Sequence, residues 1–251
     1  MKETILTKLS EIEQQEQVKI LFACESGSRA WGFHSTDSDY DVRFVYMKNK
    51  DWYISIEDRK DVIELPDNVV LDINGWDLRK ALKLFRASNS VIYEWLQSPI
   101  IYKGEPGFID ELFAFKNEYY SLRAGMHHYL SMAINSFQDD LQQPQFKLKK
   151  YFYALRPILA ANWIAKKNGC PPMEFGKLRS LITDVNINKK IDDLLQTKRE
   201  VDEKFEIERD PLLHEFIEEH IAFCEGVSKK LEPIRTTADS LNRFFRKTIG
   251  L

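Results

Sequence analysis

The sequence predicts an α+β fold, with a small mixed sheet and flanking helices in its N-terminal part and an all-helical C-terminal part. Three observations carry this expectation. Asp39, Asp41, Arg43 and Val45 alternate with Tyr40, Val42, Phe44 and Tyr46, the period of a strand half buried in a sheet. The apolar run 18–23 leads into a Gly27-Ser28 turn, from which Ser28–Trp31 starts a short helix. Beyond about residue 108 the strand patterns cease, and the composition shifts toward Lys, Glu, Leu and Phe. The boundary falls near residue 110, giving residues 1–110 as one domain and residues 111–251 as a second.

Taken in order, residues 3–15 read as a helix, with Ile5, Leu6, Leu9 and Ile12 on one face and Glu and Gln on the other. Strand 18–23, the turn and short helix, a polar loop at 32–38 and strand 39–47 follow. Residues 48–61 form a charged connection with a weak strand or turn around Trp52 to Ile56. Residues 62–65 and 69–73 read as two strands joined by the Pro66-Asp67-Asn68 turn. Leu78, Ala81, Leu82 and Phe85 recur at helical spacing over 77–87, with Arg79, Lys80, Lys83 and Arg86 on the other side. A helix around Val91–Leu96 stops at Ser98-Pro99, and a short strand 99–102 closes the first domain. Helical patterns then run near 109–138, 146–168, 174–183, 187–206, 211–231 and 236–248. Pro157 predicts a kink or local break in the second of these.

Composition narrows the class of protein. The 251 residues carry 36 Lys and Arg against 39 Asp and Glu, a net charge of −3. Global charge therefore does not announce a nucleic-acid binder, although a local basic groove is compatible with it. Cys24, Cys170 and Cys224 are odd in number, far apart and outside any CxxC pattern, as expected of reduced thiols in a cytoplasmic protein. No apolar window reaches membrane-spanning length and the N-terminus shows no signal-peptide core.

The chemistry concentrates in Glu25–Tyr46. Asp39 and Asp41 project from one face of a strand, where two carboxylates repel and raise a pKa unless a cation lies between them. Hard oxygen donors without His or Cys nearby suit Mg²⁺. Upstream, a strand followed by a Gly-Ser turn and a helix start suits a phosphate, which backbone N–H groups can approach where no side chain intervenes. On the strand at 69–73, Asp72 shares a face with Val70 and Asn74, and burying it would be costly without a partner. In the C-terminal part, Lys149, Tyr153 and Arg156 recur at i, i+4 and i+7 within one narrow arc, with Lys150 close by. On spacing alone this stripe reads as a solvated basic face with Tyr153 packed on its stems.

Gly27-Ser28, about ten residues and then Asp39-Tyr40-Asp41 on a strand resembles the core motif of the DNA polymerase beta superfamily of nucleotidyltransferases. The wider context of residues 26–33 and 38–43 is similar to the nucleotidyltransferase branch associated with bacterial RNA repair. Segments 71–82, 94–96 and 149–157 extend the resemblance over roughly residues 18 to 165. It implies a nucleotidyltransferase-type sheet, with Asp39, Asp41 and Asp72 as catalytic and metal-binding residues for Mg²⁺ or Mn²⁺; Glu64 competes with Asp72 for the third place. It further implies that Gly27, Ser28, Arg29, Lys149, Tyr153 and Arg156 bind the nucleotide. The expected reaction moves a nucleoside monophosphate from an NTP to an acceptor hydroxyl with release of pyrophosphate. An RNA end is the acceptor that the branch suggests; a protein or small-molecule hydroxyl, or a non-catalytic nucleotide-binding regulator, stays open.

Overall fold

The structure is a computed structural model, which describes residues 1–65 and 70–251. The expected turn Pro66-Asp67-Asn68 and Val69, the first residue of the expected second strand, lie outside the described residues. The chain divides into two compact units. The first comprises Met1–Ala30, Asp39–Tyr120 and Arg235–Leu251; the second comprises Trp31–Ser38 and Ser121–Ile234.

In the first unit the order is α1 (Lys2–Glu16), β1 (Lys19–Glu25), α2 (Gly27–Trp31), β2 (Tyr40–Met47), α3 (Lys50–Ile54), β3 (Val62–Glu64), β4 (Leu71–Asp77), α4 (Leu78–Arg86), α5 (Ser90–Trp95), β5 (Ile101–Gly104), α6 (Phe108–Ala114) and α7 (Lys116–Tyr119). The five strands form one sheet in the order β3-β4-β2-β1-β5. Among the described residues the β2–β4 pairing of this sheet is parallel and its other pairings are antiparallel. Alternation along β2 buries Val42, Phe44 and Tyr46 in one cluster with Ile5, Leu9 and Ile12 of α1 and Leu71 and Ile73 of β4. Asp41, Arg43 and Val45 consequently share the other face with their β4 neighbours Asp72, Asn74 and Trp76. The far end of that face is covered by α5, whose Trp95 ring centre lies 4.0 Å from that of Trp76.

In the second unit follow α8 (Leu122–Asp140), β6 (Gln145–Lys147), α9 (Lys149–Lys167), α10 (Phe175–Leu178) with a 3₁₀ turn at Arg179–Leu181, α11 (Val185–Glu200), β7 (Glu206–Glu208) and α12 (Pro211–Ser228). Its core is built on α9, whose Phe152, Leu155, Ile158 and Leu159 are buried. The loop segment joins this core: the Phe33 ring stacks on Phe152 at 4.9 Å and meets the edge of Phe175 at 5.6 Å. The chain then returns to the first unit with α13 (Asp239–Ile249). No helix among the described residues is long and apolar enough to cross a membrane.

Several local expectations are corrected. The connection at 48–61 contains a short helix, not a strand, because the Asn49 side chain accepts from Trp52 N–H and caps it. The continuous helix expected at 109–138 is three helices, the last capped by the Ser121 hydroxyl accepting from Ala124 N–H. Strand pairing persists beyond residue 108 in β6 and β7, which pair antiparallel but are three residues each, too short to show a period. Pro157 lies within α9 without ending it.

One close approach fixes the β2–β4 pairing. Gly75 stands opposite Phe44, and a Cβ there would meet Phe44 Cε2 at 2.1 Å. Phe44 is wholly buried and cannot retreat. Gly75→Ala is expected to destabilise the protein by roughly 1–3 kcal/mol, the usual cost of overpacking, read as a lowered Tm; an unchanged Tm would show that the ring has somewhere to go.

Candidate functional site

Parallel pairing in register puts Asp41 of β2 beside Asp72 of β4. Both side chains are part-exposed, Asp41 at 30% and Asp72 at 44%. Between them lies Arg43, two residues along the same face. Its Nη2 donates to Asp41 Oδ1 at 3.0 Å and to Asp72 Oδ2 at 2.7 Å, while Nη1 donates to the carbonyls of Val42 and Asp72. Burial raises the Asp41 pKa; Arg43 opposes the rise, and the charges of Asp72 and Asp39 add to it. Asp72 and Asp39 thus both bear on Asp41 through their charge. Asp39 is exposed and immediately precedes β2.

Backbone contacts hold Asp41 firmly. Its N–H donates to Glu25 Oε1 at 2.8 Å, and its carbonyl accepts from Ser26 N–H at 2.7 Å. Glu25 is fully buried, and its other carboxylate oxygen accepts from the Tyr102 hydroxyl. Burial raises the Glu25 pKa, although the Tyr102 and Asp41 hydrogen bonds oppose it. Gly27 sits at φ +57°, and a Cβ there would lie 1.9 Å from Asp41 Oδ2. The turn thus needs glycine twice, for its left-handed backbone and to let the carboxylate close on it. Ser28 and Arg29 follow in α2. The Arg29 Nε donates to Asp39 O at 3.1 Å and its cation lies 3.8 Å from the Tyr40 ring centre. Gly27, Ser28, Arg29, Asp39, Asp41 and Asp72 all belong to the first unit.

Lys149, Tyr153 and Arg156 belong to the second unit, and the structure divides them. Arg156 is 3% exposed; its Nε and Nη2 donate to Met173 O, and its cation lies 4.4 Å from the Trp31 ring centre. It is buried, and the Met173 carbonyl and the Trp31 ring are among its partners there. Tyr153 is half-buried against the core. Lys149 Nζ lies 3.0 Å from Glu203 Oε2, and Lys150 pairs with Asp140. Glu203 is a hub. Its Oε1 accepts from the Ser38 hydroxyl at 2.6 Å and lies 3.3 Å from Nζ of Lys198, which is 2% exposed and also donates to Ser35 Oγ. Burial pushes Glu203 up, but the Ser38 and Lys149 hydrogen bonds and the Lys198 charge outweigh it, leaving its pKa at about 2.

Sequence reasoning missed Arg43, Glu25 and the Glu203 hub. Arg43 was detectable as a cation at i+2 from Asp41 on one strand face; the other two depend on contacts far apart in sequence. Glu64, the competing third carboxylate, accepts from the Asn74 amide at 2.7 Å. Among the described residues no set of three His, Cys, Asp or Glu side chains is arranged to hold a metal ion. The donors that do converge, Asp41 and Asp72, are hard oxygens held by a single guanidinium, a donor chemistry that fits Mg²⁺ or Mn²⁺.

The model of the RlaP family, described as the RNA repair pathway DNA polymerase beta family, matches residues 1–247. The chain belongs to that family. The uncharacterized protein YcgL of Bacillus subtilis (strain 168) is 43% identical over 251 residues, covering 99% of this chain and 96% of the relative. A crystal structure of a nucleotidyltransferase-like protein from Exiguobacterium sibiricum 255-15 covers 92% of this chain and 75% of its own at 14% identity. Its TM-score of 0.30 is too low to bear on function.

Removing Arg43 leaves Asp41 and Asp72 facing each other uncompensated. Arg43→Gln is expected to lower stability at pH 7 by about 1 kcal/mol. The deficit should shrink on acidification, because protonating Asp41 removes the repulsion. Combined with Asp41→Asn it should cost less than the two single changes summed, a double-mutant cycle in thermal unfolding; strict additivity would deny the coupling. In the second unit, Glu203 has a lowered pKa, so its contribution is complete above its ordinary value near 4.5 and is lost as pH falls toward about 2. Glu203→Gln should therefore cost on the order of 2 kcal/mol at pH 7, with a Tm gap to the wild type that closes across that window.

Proposed function

We propose that the protein is a metal-dependent nucleotidyltransferase that moves a nucleoside monophosphate from an NTP to an acceptor hydroxyl, releasing pyrophosphate. The observation that carries this reading is the packing of Asp41 against a positive-φ Gly27-Ser28 turn, with Asp72 in register beside it. Family membership supports it independently.

Asp39, Asp41 and Asp72 would hold Mg²⁺ or Mn²⁺. When bound, the metal neutralises phosphate charge and lowers the pKa of the attacking hydroxyl. The remaining work falls to the chain itself. Glu25 fixes the Asp41 backbone, and the rigid β2–β4 pairing fixes the spacing of the carboxylates. Gly27 keeps the turn free of a side chain, and Ser28 and Arg29 supply a hydroxyl and a cation for phosphate. Arg43 has two carboxylate partners, both proposed ligands, and would serve as their counter-ion before nucleotide binds. Lys149 and Tyr153 are assigned to the nucleotide on the sequence resemblance alone; Arg156, being buried, is left out. The acceptor proposed is an RNA end, which rests on the description of the family.

Asp41→Asn is expected to reduce transfer to near background. It should retain the wild-type Tm, because the folded state raises the Asp41 pKa and so gains nothing from its charge at pH 7. The measurement is label transfer from each of four α-³²P NTPs, with Mg²⁺ or Mn²⁺, to a pool of cleaved RNA. Label on RNA from the wild type alone supports the reading. Equal label from the variant would overturn the role of Asp41, and metal-dependent NTP binding without transfer to any hydroxyl would indicate a regulator instead.

A further inference from the structure

The first unit sorts its charge. Helices α4 and α13 together hold seven of the chain's 36 Lys and Arg but one of its 39 acids, Asp239. The two helices lie side by side and antiparallel. At one end Arg86 Nη2 donates to Thr236 O at 3.0 Å, just before α13 begins. Toward the other end the Arg79 cation lies 5.6 Å from the Phe245 ring centre, and Tyr53 packs edge-on against Phe245 at 5.1 Å. Leu78, Ala81, Leu82 and Phe85 of α4 and Leu241, Phe244 and Ile249 of α13 are buried. Lys83, Arg86, Arg243, Arg246 and Lys247 are exposed. The outcome is a basic ridge about 16 Å long at 1.5 Å rise per residue.

Helix stability accounts for only part of this composition: Lys83, Arg86, Arg246 and Lys247 stand in last turns, where the helix dipole favours cations, and Asp239 precedes Arg243 at i,i+4. Arg79–Lys83, Lys80–Lys83 and Lys83–Arg86 on α4, and Arg243–Arg246 and Arg243–Lys247 on α13, are like-charge neighbours at i,i+3 or i,i+4, each unfavourable by a few tenths of a kcal/mol. Acids from outside the two helices answer only part of this. Lys80 pairs with Asp61 and Lys247 with Glu111, whereas Lys83, Arg243 and Arg246 have no acid partner among the described residues. A chain of net charge −3 that concentrates cations in this way presents a local field suited to a polyanion. The ridge also adjoins the site's own sheet face. Phe85 of α4 stacks on Tyr93 of α5 at 4.4 Å, and α5 covers the far end of the face that bears Asp41 and Asp72.

We propose that the α4–α13 ridge binds the phosphodiester backbone of a single-stranded nucleic acid whose hydroxyl end is the acceptor. The identity of that bound chain rests on the nucleotidyl-transfer reading; the polyanion surface rests on the charge and packing of the two helices. Backbone contacts of this kind are sequence-independent and salt-dependent.

The experiment measures fluorescence anisotropy of a labelled 12-nucleotide oligoribonucleotide of mixed sequence at two salt concentrations. It compares the full-length wild type with Lys83→Glu/Arg243→Glu/Arg246→Glu and with the milder Lys83→Gln/Arg243→Gln/Arg246→Gln. A control of equal charge change, Lys167→Glu/Lys189→Glu/Lys229→Glu, lies on exposed positions of the second unit. The Glu triple variant should bind at least tenfold more weakly, with a salt slope shallower by about 2. The Gln variant should fall between, the control should match the wild type, and all should share one Tm. Equal losses in ridge and control variants would reduce the effect to net charge and overturn the ridge, as would wild-type affinity in the Glu variant. Poly-glutamate competing as well as the oligoribonucleotide would overturn the nucleic-acid partner. Failure of label transfer from NTP while ridge-dependent binding persists would sink the catalytic reading and leave the ridge as a nucleic-acid surface.

Discussion

The parallel pairing of β2 with β4 is the constraint on which the site depends. A strand has a period of two, so a one-residue slip would turn Asp72 to the α1 side and bring Leu71 or Ile73 beside Asp41. Two features prevent this. Phe44, Val42 and Ile73 are locked into the cluster under α1, and Gly75 admits the Phe44 ring at one register only. The carboxylate pair is thus positioned by apolar packing on the opposite face of the sheet. Arg43 then supplies the charge that makes the pair tolerable, at 18% side-chain exposure, where screening by water is weak.

Around that pair the first unit arranges polar groups by depth. Glu25 is fully buried and spends its carboxylate on the Asp41 N–H and the Tyr102 hydroxyl. Its role is to fix backbone, as a carboxylate without access to solvent cannot meet a ligand. Asp41, part-exposed, both touches the turn and faces outward. Asp72 and Asp39 are more open still. This gradient, from Glu25 through Asp41 to Asp72 and Asp39, separates a group that holds the backbone from groups that solvent can reach.

Much of this could be read from the sequence because it is local. The alternation of 39–47, the Asp-x-Asp spacing and the α4 periodicity all depend on neighbours within a few residues, where backbone geometry alone dictates which side chains share a face. What escaped depends on distance along the chain. The bridge from Arg43 to Asp72 spans 29 residues and exists only once β2 and β4 pair. Arg156 looked like one of three cationic or phenolic residues on a helical stripe, but a carbonyl 17 residues away drew it into the interior. The short strands β6 and β7 have no period to detect, and the capping by Asn49 and Ser121 replaced patterns that hydrophobicity had suggested.

The division of the chain between its units bears on how far the protein can be cut. Trp31–Ser38 separates the Gly27-Ser28 turn from Asp39, yet it folds with the helices through Phe33, Ser35 and Ser38. The last helix, α13, returns to the sheet unit, where Phe244 packs on Phe108 and Phe115. A fragment ending at Tyr120 would keep every proposed carboxylate but lose the covering of those rings and the anchorage of the loop between the two halves of its motif. The chain is therefore not a catalytic module with a detachable tail. Each unit draws on separated stretches of the chain, so a shortened form would have to keep α13 and find new anchorage for the loop that leads into the site.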